Sequence, residues 1–212
     1  LVKRQWGVVG LRLQQELRGI SCLPLVQGPS SKRETCVSRS FSQPIQDLQL
    51  LRQAVASYVV RAAEKLRQQQ QRTACLTVFI RTSPFQSGFY SNSATIKLAL
   101  ASNDTAVLLK AALPLVAQLF RNGYRFHKAG VLLQELQPLE QLQQHLFVSL
   151  SPQQQQRREC LMQLVDQLNA RFGAGTLQWA ATGLQPPWLM RRGHLSPGYT
   201  TRIKELPLVQ AC

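Results

Sequence analysis

The sequence predicts an α+β protein built around a split β-α-β-β-α-β domain, in which two helices cover one face of a four-stranded antiparallel sheet. Two kinds of periodicity predict this fold. Four short segments alternate apolar and polar residues, as half-buried strands do, and two long segments repeat apolar residues at steps of three and four, as amphipathic helices do. Because both helices belong to one face, the other face of the sheet is expected to be open. A helical N-terminal remnant and a mostly irregular C-terminal region are expected to flank the domain.

The first strand, at residues 34–41, has Val37 on one face and small residues, including Ser38 and Ser40, on the other. Arg39 interrupts the apolar row. A guanidinium beside two hydroxyls on an extended backbone suits a run of phosphate groups, because both donate hydrogen bonds that phosphates accept. An ordinary edge strand with a solvated arginine is the alternative interpretation.

The remaining elements of the domain follow in order. Apolar steps predict a helix over residues 45–70 that ends in a glutamine run, and Pro114 predicts a kink in the second helix. Asn103-Asp104 is typical of a helix start, and Asn122-Gly123 of a helix end. The later strands are expected at residues 76–82, 93–100 and 124–133.

Each predicted strand can supply a cation or hydroxyl groups to the open face. The sequence does not fix the register, because a slip of one residue exchanges the two faces. The residues available to the open face are Ser38 or Arg39, Arg81 or Thr77, Lys97 with Thr95, and Arg125 or Lys128. Aromatic residues are not regularly placed on the strands, which argues against a sheet that recognises RNA by stacking bases.

The charge balance indicates a polyanionic partner. The 212 residues include 25 Lys+Arg against 10 Asp+Glu, for a formal net charge of +15, and 44% are hydrophobic, enough for a core. Nucleic acid and an anionic membrane surface both fit that charge. No apolar run is long enough to span a bilayer, and no cationic helix has a bulky aromatic face, so no membrane partner is expected.

Metal and redox chemistry are not indicated. The five cysteines lack the spacing of a metal knuckle or redox pair, so reduced thiols in the cytoplasm are expected, and the three histidines lie far apart. Asp47, Asp104 and Asp166 are isolated from one another. The convergent carboxylates that two-metal catalysis needs are therefore not expected, and no catalytic residue is assigned.

Composition divides the flanking regions. Residues 1–26 are expected to be helical up to Gly19, and residues 27–33 form a linker of breakers and small polar residues. Beyond a spacer at 151–156, a short helix is expected from Leu161 to Gly173 and a short strand at Leu177–Ala180. Four large residues of this region are interpreted equally as partner anchors or as a satellite core: Trp179, Trp188, Met190 and Tyr199.

Five blocks resemble, in the same order, those of one family: Cys36–Phe41, Ala62–Arg67, Phe79–Phe85, Lys128–Val131 and Leu195–Arg202. The family is the UmuC-like catalytic subunit of bacterial DNA polymerase V, within the Y-family translesion polymerases. The blocks run through nearly the whole chain, which is similar to the C-terminal half of a full subunit.

The resemblance implies that residues 1–26 end the thumb subdomain, 34–135 form the DNA-binding little finger, 136–150 form a clamp-binding linker, and 151–212 form the UmuC-type C-terminal region. The palm residues that bind magnesium lie upstream in the family. This portion is therefore expected to hold no cofactor and to be inactive alone. The residues implied to contact phosphates of primer-template DNA are Ser38, Arg39, Ser40, Arg81, Thr82, Lys97 and Lys128.

Gln143, Leu146 and Phe147 fit the Q-x-x-L-F pattern by which bacterial polymerases bind the sliding clamp, although Gln144 stands where the family tends to have Leu. Leu and Phe would fill a preformed pocket while Gln fixes the register. The alternative is a glutamine-rich segment whose two apolar residues pack back onto the domain. The resemblance also implies a UmuD-type accessory dimer and a recombinase filament as partners of the C-terminal region.

The leading hypothesis is a non-catalytic, DNA-holding and clamp-tethering portion of an error-prone translesion polymerase that acts in SOS mutagenesis and DNA repair. One alternative is a protein-interaction module whose DNA contact is incidental. Another is an RNA-binding βαββαβ domain of a different family.

Overall fold

The computed structural model describes residues 2–25, 31–85, 88–139, 152–184, 187–188 and 195–207. The chain forms two compact units, Leu1–Lys32 and Arg33–Cys212. The first contains helix α1 (Val2–Leu17), which is broken at Gly7, where φ is 64°. Its helical character is as predicted, and its apolar residues, such as Leu13 and Leu17, are exposed.

The second unit confirms the predicted fold class, with four strands and two helices in the expected order. Its elements are β1 (Thr35–Ile45), α2 (Leu48–Gln68), β2 (Gln71–Thr82), β3 (Ser91–Ser102), α3 (Thr105–Leu119), β4 (Phe126–Pro138) and α4 (Pro152–Phe172). Two short 3-10 turns follow at Ala180–Thr182 and Ile203–Glu205.

Aspartates begin the two central helices. Asp47 accepts a hydrogen bond from the Leu50 backbone N–H at 2.8 Å, and Asp104 accepts one from the Ala106 N–H at 2.8 Å. Each satisfies an amide that has no partner within the helix. The predicted start of α3 is thereby confirmed, and α3 continues through Pro114.

The sheet is antiparallel, with strand order β1-β4-β2-β3, so β1 and β3 are its edges. Helices α2 and α3 pack on the same face and enclose a core with the inward side chains of the strands. Fully buried members include Leu51, Leu76, Val78, Leu108 and Val131. Burial of such side chains is worth about 1.5–3 kcal/mol each.

Several boundaries differ from the predicted ones. Gln71 to Ala74 belong to β2, where the Thr73 hydroxyl donates to the Gln134 carbonyl at 2.7 Å. Helix α4 includes Gln153–Gln156, predicted as a spacer, because straight-chain glutamines are good helix formers. The predicted strand at Leu177–Ala180 is wrong: Thr182 N–H bonds back to the Trp179 carbonyl at 2.9 Å in a 3-10 turn.

Two ion pairs attach α4 to the sheet domain. The Arg67 guanidinium binds both carboxylate oxygens of Asp166, at 2.6 and 2.8 Å. Arg72, buried in β2, binds Glu159 at 2.6 Å. Across the described ranges, no helix has the length and apolar composition needed to cross a bilayer.

Candidate nucleic-acid interface

The sheet's second face, called here the open face, consists of the side chains that point away from α2 and α3. The register places four residues side by side across all four strands: Ser40 of β1, Lys128 of β4, Arg81 of β2 and Ser91 of β3. Directly opposed residues of antiparallel strands point to the same side. One row of the open face is therefore made of two cations between two hydroxyls, and it is called here the basic row.

Lys128 of β4 and Arg81 of β2 lie directly opposite each other. None of the described carboxylates pairs with either side chain. Like charges directly opposite on a sheet are destabilising by up to about 1 kcal/mol, with Cβ atoms about 5 Å apart. Such an arrangement is suited to an anion that bridges the two side chains, and a phosphate has the oxygens to do so.

The next two rows of the open face combine small residues with two larger apolar ones. Beside the basic row lie Ser38, Gly130, Phe79 and Ser93, and the following row contains Cys36, Leu132, Thr77 and Thr95. The hydroxyls of those two threonines are 2.8 Å apart. Of the alternatives that the sequence left open, the register selects Ser38 rather than Arg39, and it places both Arg81 and Thr77 on this face.

Lys97 of β3 also lies on the open face, three rows from the basic row. It contacts the Glu135 carboxylate at 3.2 Å, and both side chains are largely exposed. Burial raises the pKa of Cys75, which pairs with Lys97 across the strands; Glu135 raises it further and Lys97 opposes the rise. Because the Glu135 carboxylate lies beside Lys97, this end of the face carries less net positive charge than the basic row.

Arg39 and Thr82 do not belong to the open face. Arg39 pairs with the buried Ala129 and so points to the helix side of β1, where it borders a cavity of about 420 Å³ with Tyr58 and Trp188. Thr82 is buried, and its hydroxyl accepts a hydrogen bond from the Tyr90 backbone N–H at 2.9 Å. The phosphate contacts expected of these two residues stay predictions, and the sheet geometry does not favour them.

Phe79 is a residue of the open face that sequence reasoning missed. Its ring lies over Gly130. A Cβ added at position 130 would overlap the ring and would also lie 2.5 Å from the Ser38 Cβ. The signal was present in the alternation of Thr77, Phe79 and Arg81. Residues two apart on a strand share a face, so the alternation that places Arg81 on the open face also places Phe79 there.

The large C-terminal residues were interpreted equally as a satellite core or as partner anchors, and the structure places some of them in the core and leaves one exposed. Trp188 is buried and packs edge-on against Tyr58 and Phe41, with ring centroids 5.8 and 6.4 Å away. Trp179 is half-buried against the same core, whereas Tyr199 is exposed. Met190 lies outside the described residues. So do Gln143, Leu146 and Phe147, and their clamp-binding role stays a prediction.

The carboxylates of the described residues do not fit a magnesium site. No three His, Cys, Asp or Glu side chains in the described ranges lie close enough together to hold a metal ion. Asp47 and Asp104 cap helices, and Asp166 is occupied by Arg67. No catalytic step is assigned to them.

Two family models match the chain. Residues 32–146 match the impB/mucB/samB family C-terminal domain, and residues 159–209 match a domain of unknown function, DUF4113. The chain is 38% identical over 208 residues to Protein UmuC of Salmonella typhimurium (strain LT2), covering 97% of this chain and 49% of that protein. It is 39% identical over 210 residues to Protein MucB of Escherichia coli, covering 98% and 49%. The chain thus spans about half the length of the curated relatives it matches.

Two solved structures are more distantly similar. One is the little finger domain of PolIV in a complex with the beta-clamp processivity factor, at 15% identity and a TM-score of 0.39, over 54% of this chain and 99% of that chain. The other is an insertion ternary complex of Dbh DNA polymerase, at 17% identity and a TM-score of 0.38, over 62% and 36%.

Proposed function

The chain belongs to the impB/mucB/samB family, whose C-terminal domain it carries, and from that premise we propose that it is the DNA-holding part of a translesion DNA polymerase. In this role it is non-catalytic and works in the cytoplasm in DNA repair and SOS mutagenesis. Magnesium and the nucleotidyl-transfer site belong to a catalytic half of the enzyme outside these residues.

The observation that carries the proposal is the basic row. Two cations directly opposite each other, Lys128 and Arg81, lack a carboxylate partner in the described structure and are flanked by the hydroxyls of Ser40 and Ser91. A phosphate that binds both cations removes their mutual repulsion and accepts hydrogen bonds from the serines. The formal net charge of +15 draws a polyanion to the same molecule.

Phosphate contacts suit a polymerase that moves along its template. They fix the position of the protein on the backbone but carry no sequence information. The small residues beside the basic row, such as Ser38 and Ser93, leave the face shallow enough for a backbone to lie along it. We infer that the open face holds primer-template DNA without recognising its bases.

A salt titration tests this role. Binding of the full chain to fluorescent primer-template DNA should weaken linearly on a logarithmic plot, with a slope of about −0.9 for each phosphate neutralised. Arg81→Ala and Lys128→Ala should each weaken binding and each reduce the magnitude of the slope by about 1. Lys110→Ala is the matched control, because Lys110 is exposed on α3, which packs on the opposite face of the sheet.

The control makes the result specific to the open face. If Lys110→Ala lowers the slope as much as Arg81→Ala does, the binding is a general effect of net charge and the proposed interface is wrong. Binding that is indifferent to salt would contradict phosphate contact altogether.

Clamp tethering is the second part of the proposed role, and it concerns different residues; the alternative is a protein-interaction module whose DNA contact is incidental. We propose that Gln143, Leu146 and Phe147 attach the polymerase to the sliding clamp, and that the C-terminal region contacts a UmuD-type accessory dimer and a recombinase filament. The support is the Q-x-x-L-F pattern and the 38% identity to Protein UmuC. Phe147→Ala should abolish capture by the purified clamp and leave binding to primer-template DNA unchanged. Capture that survives Phe147→Ala would rule out the motif as the attachment point.

A further inference from the structure

Phe79 is an aromatic residue of the open face, and the other members of its row, Ser38, Gly130 and Ser93, are small. It neighbours Ser93 of β3 and Gly130 of β4 in the row next to the basic row. Phe79 is half-buried, so part of its ring remains in contact with solvent. An apolar ring in that position has no role in binding phosphate groups.

The glycine opposite Phe79 lets the ring lie down on the sheet. A Cβ at position 130 would overlap the ring atoms of Phe79, so no other residue fits under it without displacing the ring. The two outer strands contribute serines to this row, so no bulky side chain of the described sheet borders the ring on the same row. The row therefore presents an aromatic surface at the level of the backbone.

The ring and the basic row are spaced for one nucleotide. Phe79 and Arg81 are two residues apart on β2, about 7 Å along the strand, and their side chains point to the same side. A phosphate held by Arg81 and Lys128 brings the base of the same nucleotide within reach of Phe79. Duplex bases have both faces covered by their neighbours, so only an unpaired base offers a face to the ring.

We propose that the open face binds one unpaired nucleotide of single-stranded DNA, with its base stacked on Phe79 and its phosphate on Arg81 and Lys128. The inference rests on the proposed function and extends it to a substrate class: a template with a single-stranded overhang, not continuous duplex. Stacking needs no particular base, because every base has an aromatic face.

Anisotropy titrations with two fluorescent DNAs test the proposal. One is a primer-template with a single-stranded template overhang, and the other is a blunt duplex of the same primer sequence. Phe79→Leu keeps an apolar side chain over Gly130 but removes the aromatic face. It should weaken binding to the overhang DNA about tenfold, leave blunt-duplex binding unchanged, and leave the salt slope unchanged.

Control variants separate stacking from folding. Phe79→Trp keeps an aromatic face and should retain the preference for the overhang DNA. Phe172→Leu replaces an exposed phenylalanine of α4 and should change neither affinity. If Phe79→Leu lowers the melting temperature, the comparison of Phe79→Trp with the parent chain still decides whether an aromatic ring at this position sustains the preference.

The outcomes distinguish this proposal from the one on which it rests. Equal weakening on both DNAs by Phe79→Leu, or no weakening on either, overturns the stacking site. If Arg81→Ala still lowers affinity and salt slope in that case, the phosphate-binding role stands. If neither DNA binds in an Arg81-dependent manner, the proposed function itself fails.

Discussion

Arg67 and Asp166, 99 residues apart in the sequence, are joined by two hydrogen bonds that hold α4 against the end of α2. Arg67 is almost buried and also donates to the Asn103 carbonyl and the Thr105 hydroxyl, both at 2.9 Å. One guanidinium therefore connects α2, the start of α3 and the C-terminal helix. The two family-matched regions, residues 32–146 and 159–209, meet at this side chain.

Removing either partner should destabilise the chain. Arg67→Ala should lower the free energy of unfolding by about 3 kcal/mol, because it leaves the Asp166 carboxylate and the start of α3 without a donor. A double-mutant cycle with Asp166→Ala should give a coupling energy of about 1–3 kcal/mol in urea denaturation. The exposed pair Arg61–Glu64 is the control and should couple by less than about 0.5 kcal/mol. Equal coupling in the two pairs would contradict a structural role for Arg67.

Neutralising one cation of the basic row should have opposite effects on stability and on DNA binding. Lys128→Met keeps the apolar stem of the side chain but removes the repulsion with Arg81, so the free energy of unfolding should rise by about 0.2–1 kcal/mol. Affinity for primer-template DNA should fall. Thermal melts at low salt, with Lys110→Met as control, measure the first effect. A Lys128→Met chain that is less stable than the parent would argue that Lys128 has a structural partner instead.

Gly130→Ala should disrupt the open face. The added methyl group overlaps the ring of Phe79 and crowds Ser38 on the neighbouring strand, so we expect a loss of about 1–3 kcal/mol in the free energy of unfolding. The double variant Gly130→Ala with Phe79→Ala should recover part of that loss, since the ring is then gone. Chemical denaturation of the three variants checks this. A fully additive double variant would show that the ring and Gly130 are not in contact.

Alkaline unfolding should report on Tyr58. Burial raises its pKa to about 12, and the nearby Arg39 charge lowers it in part. Folding favours the neutral Tyr58 hydroxyl. Its contribution to the free energy of unfolding is therefore complete below pH ~10, the pKa of tyrosine in the unfolded chain, and is lost as the pH rises through about 12. Between these values the parent should lose about 2–3 kcal/mol more stability than Tyr58→Phe.

The exposed Tyr199 provides the comparison for that measurement. Tyr199→Phe removes the same hydroxyl from an exposed position, so its unfolding curve should follow the parent curve from pH ~9 to ~12. If Tyr58→Phe also follows the parent curve, the Tyr58 hydroxyl is not held neutral by burial.

The sequence was sufficient for the order of the elements and insufficient for the faces of the sheet. Alternation around Val37 and steps of three and four through Leu51 and Val55 reflect burial directly, so they predicted strands and helices correctly. The choice between Ser38 and Arg39 depended on pairing with β4, which no local pattern encodes. The apolar row of β1 tolerates Arg39 because it lies on an edge strand beside a cavity.

Contacts made over long sequence distances were also beyond prediction. Asp166 was correctly placed on a helix, but its partner Arg67 lies 99 residues away and has no signature at that spacing. Trp188 follows two prolines in the sequence, and its ring packs on Phe41 and Tyr58, which lie more than 100 residues earlier. The position of Phe79 on the open face was predictable, because residues two apart on a strand share a face and Arg81 was a candidate for that face.

The attachment of α4 has a consequence for the segment that contains Gln143 and Phe147. On one side, the Leu139 N–H bonds to the Gln70 carbonyl at 2.9 Å at the end of β4; on the other, Asp166 fixes α4 to the same body. Twelve residues, 140–151, separate these two attached points in the sequence, and twelve residues span at most about 40 Å. The clamp proposed to bind Gln143 and Phe147 would therefore be kept within about 20 Å of the sheet domain. Such tethering would set a maximum radius around the open face, where a free tail would set none.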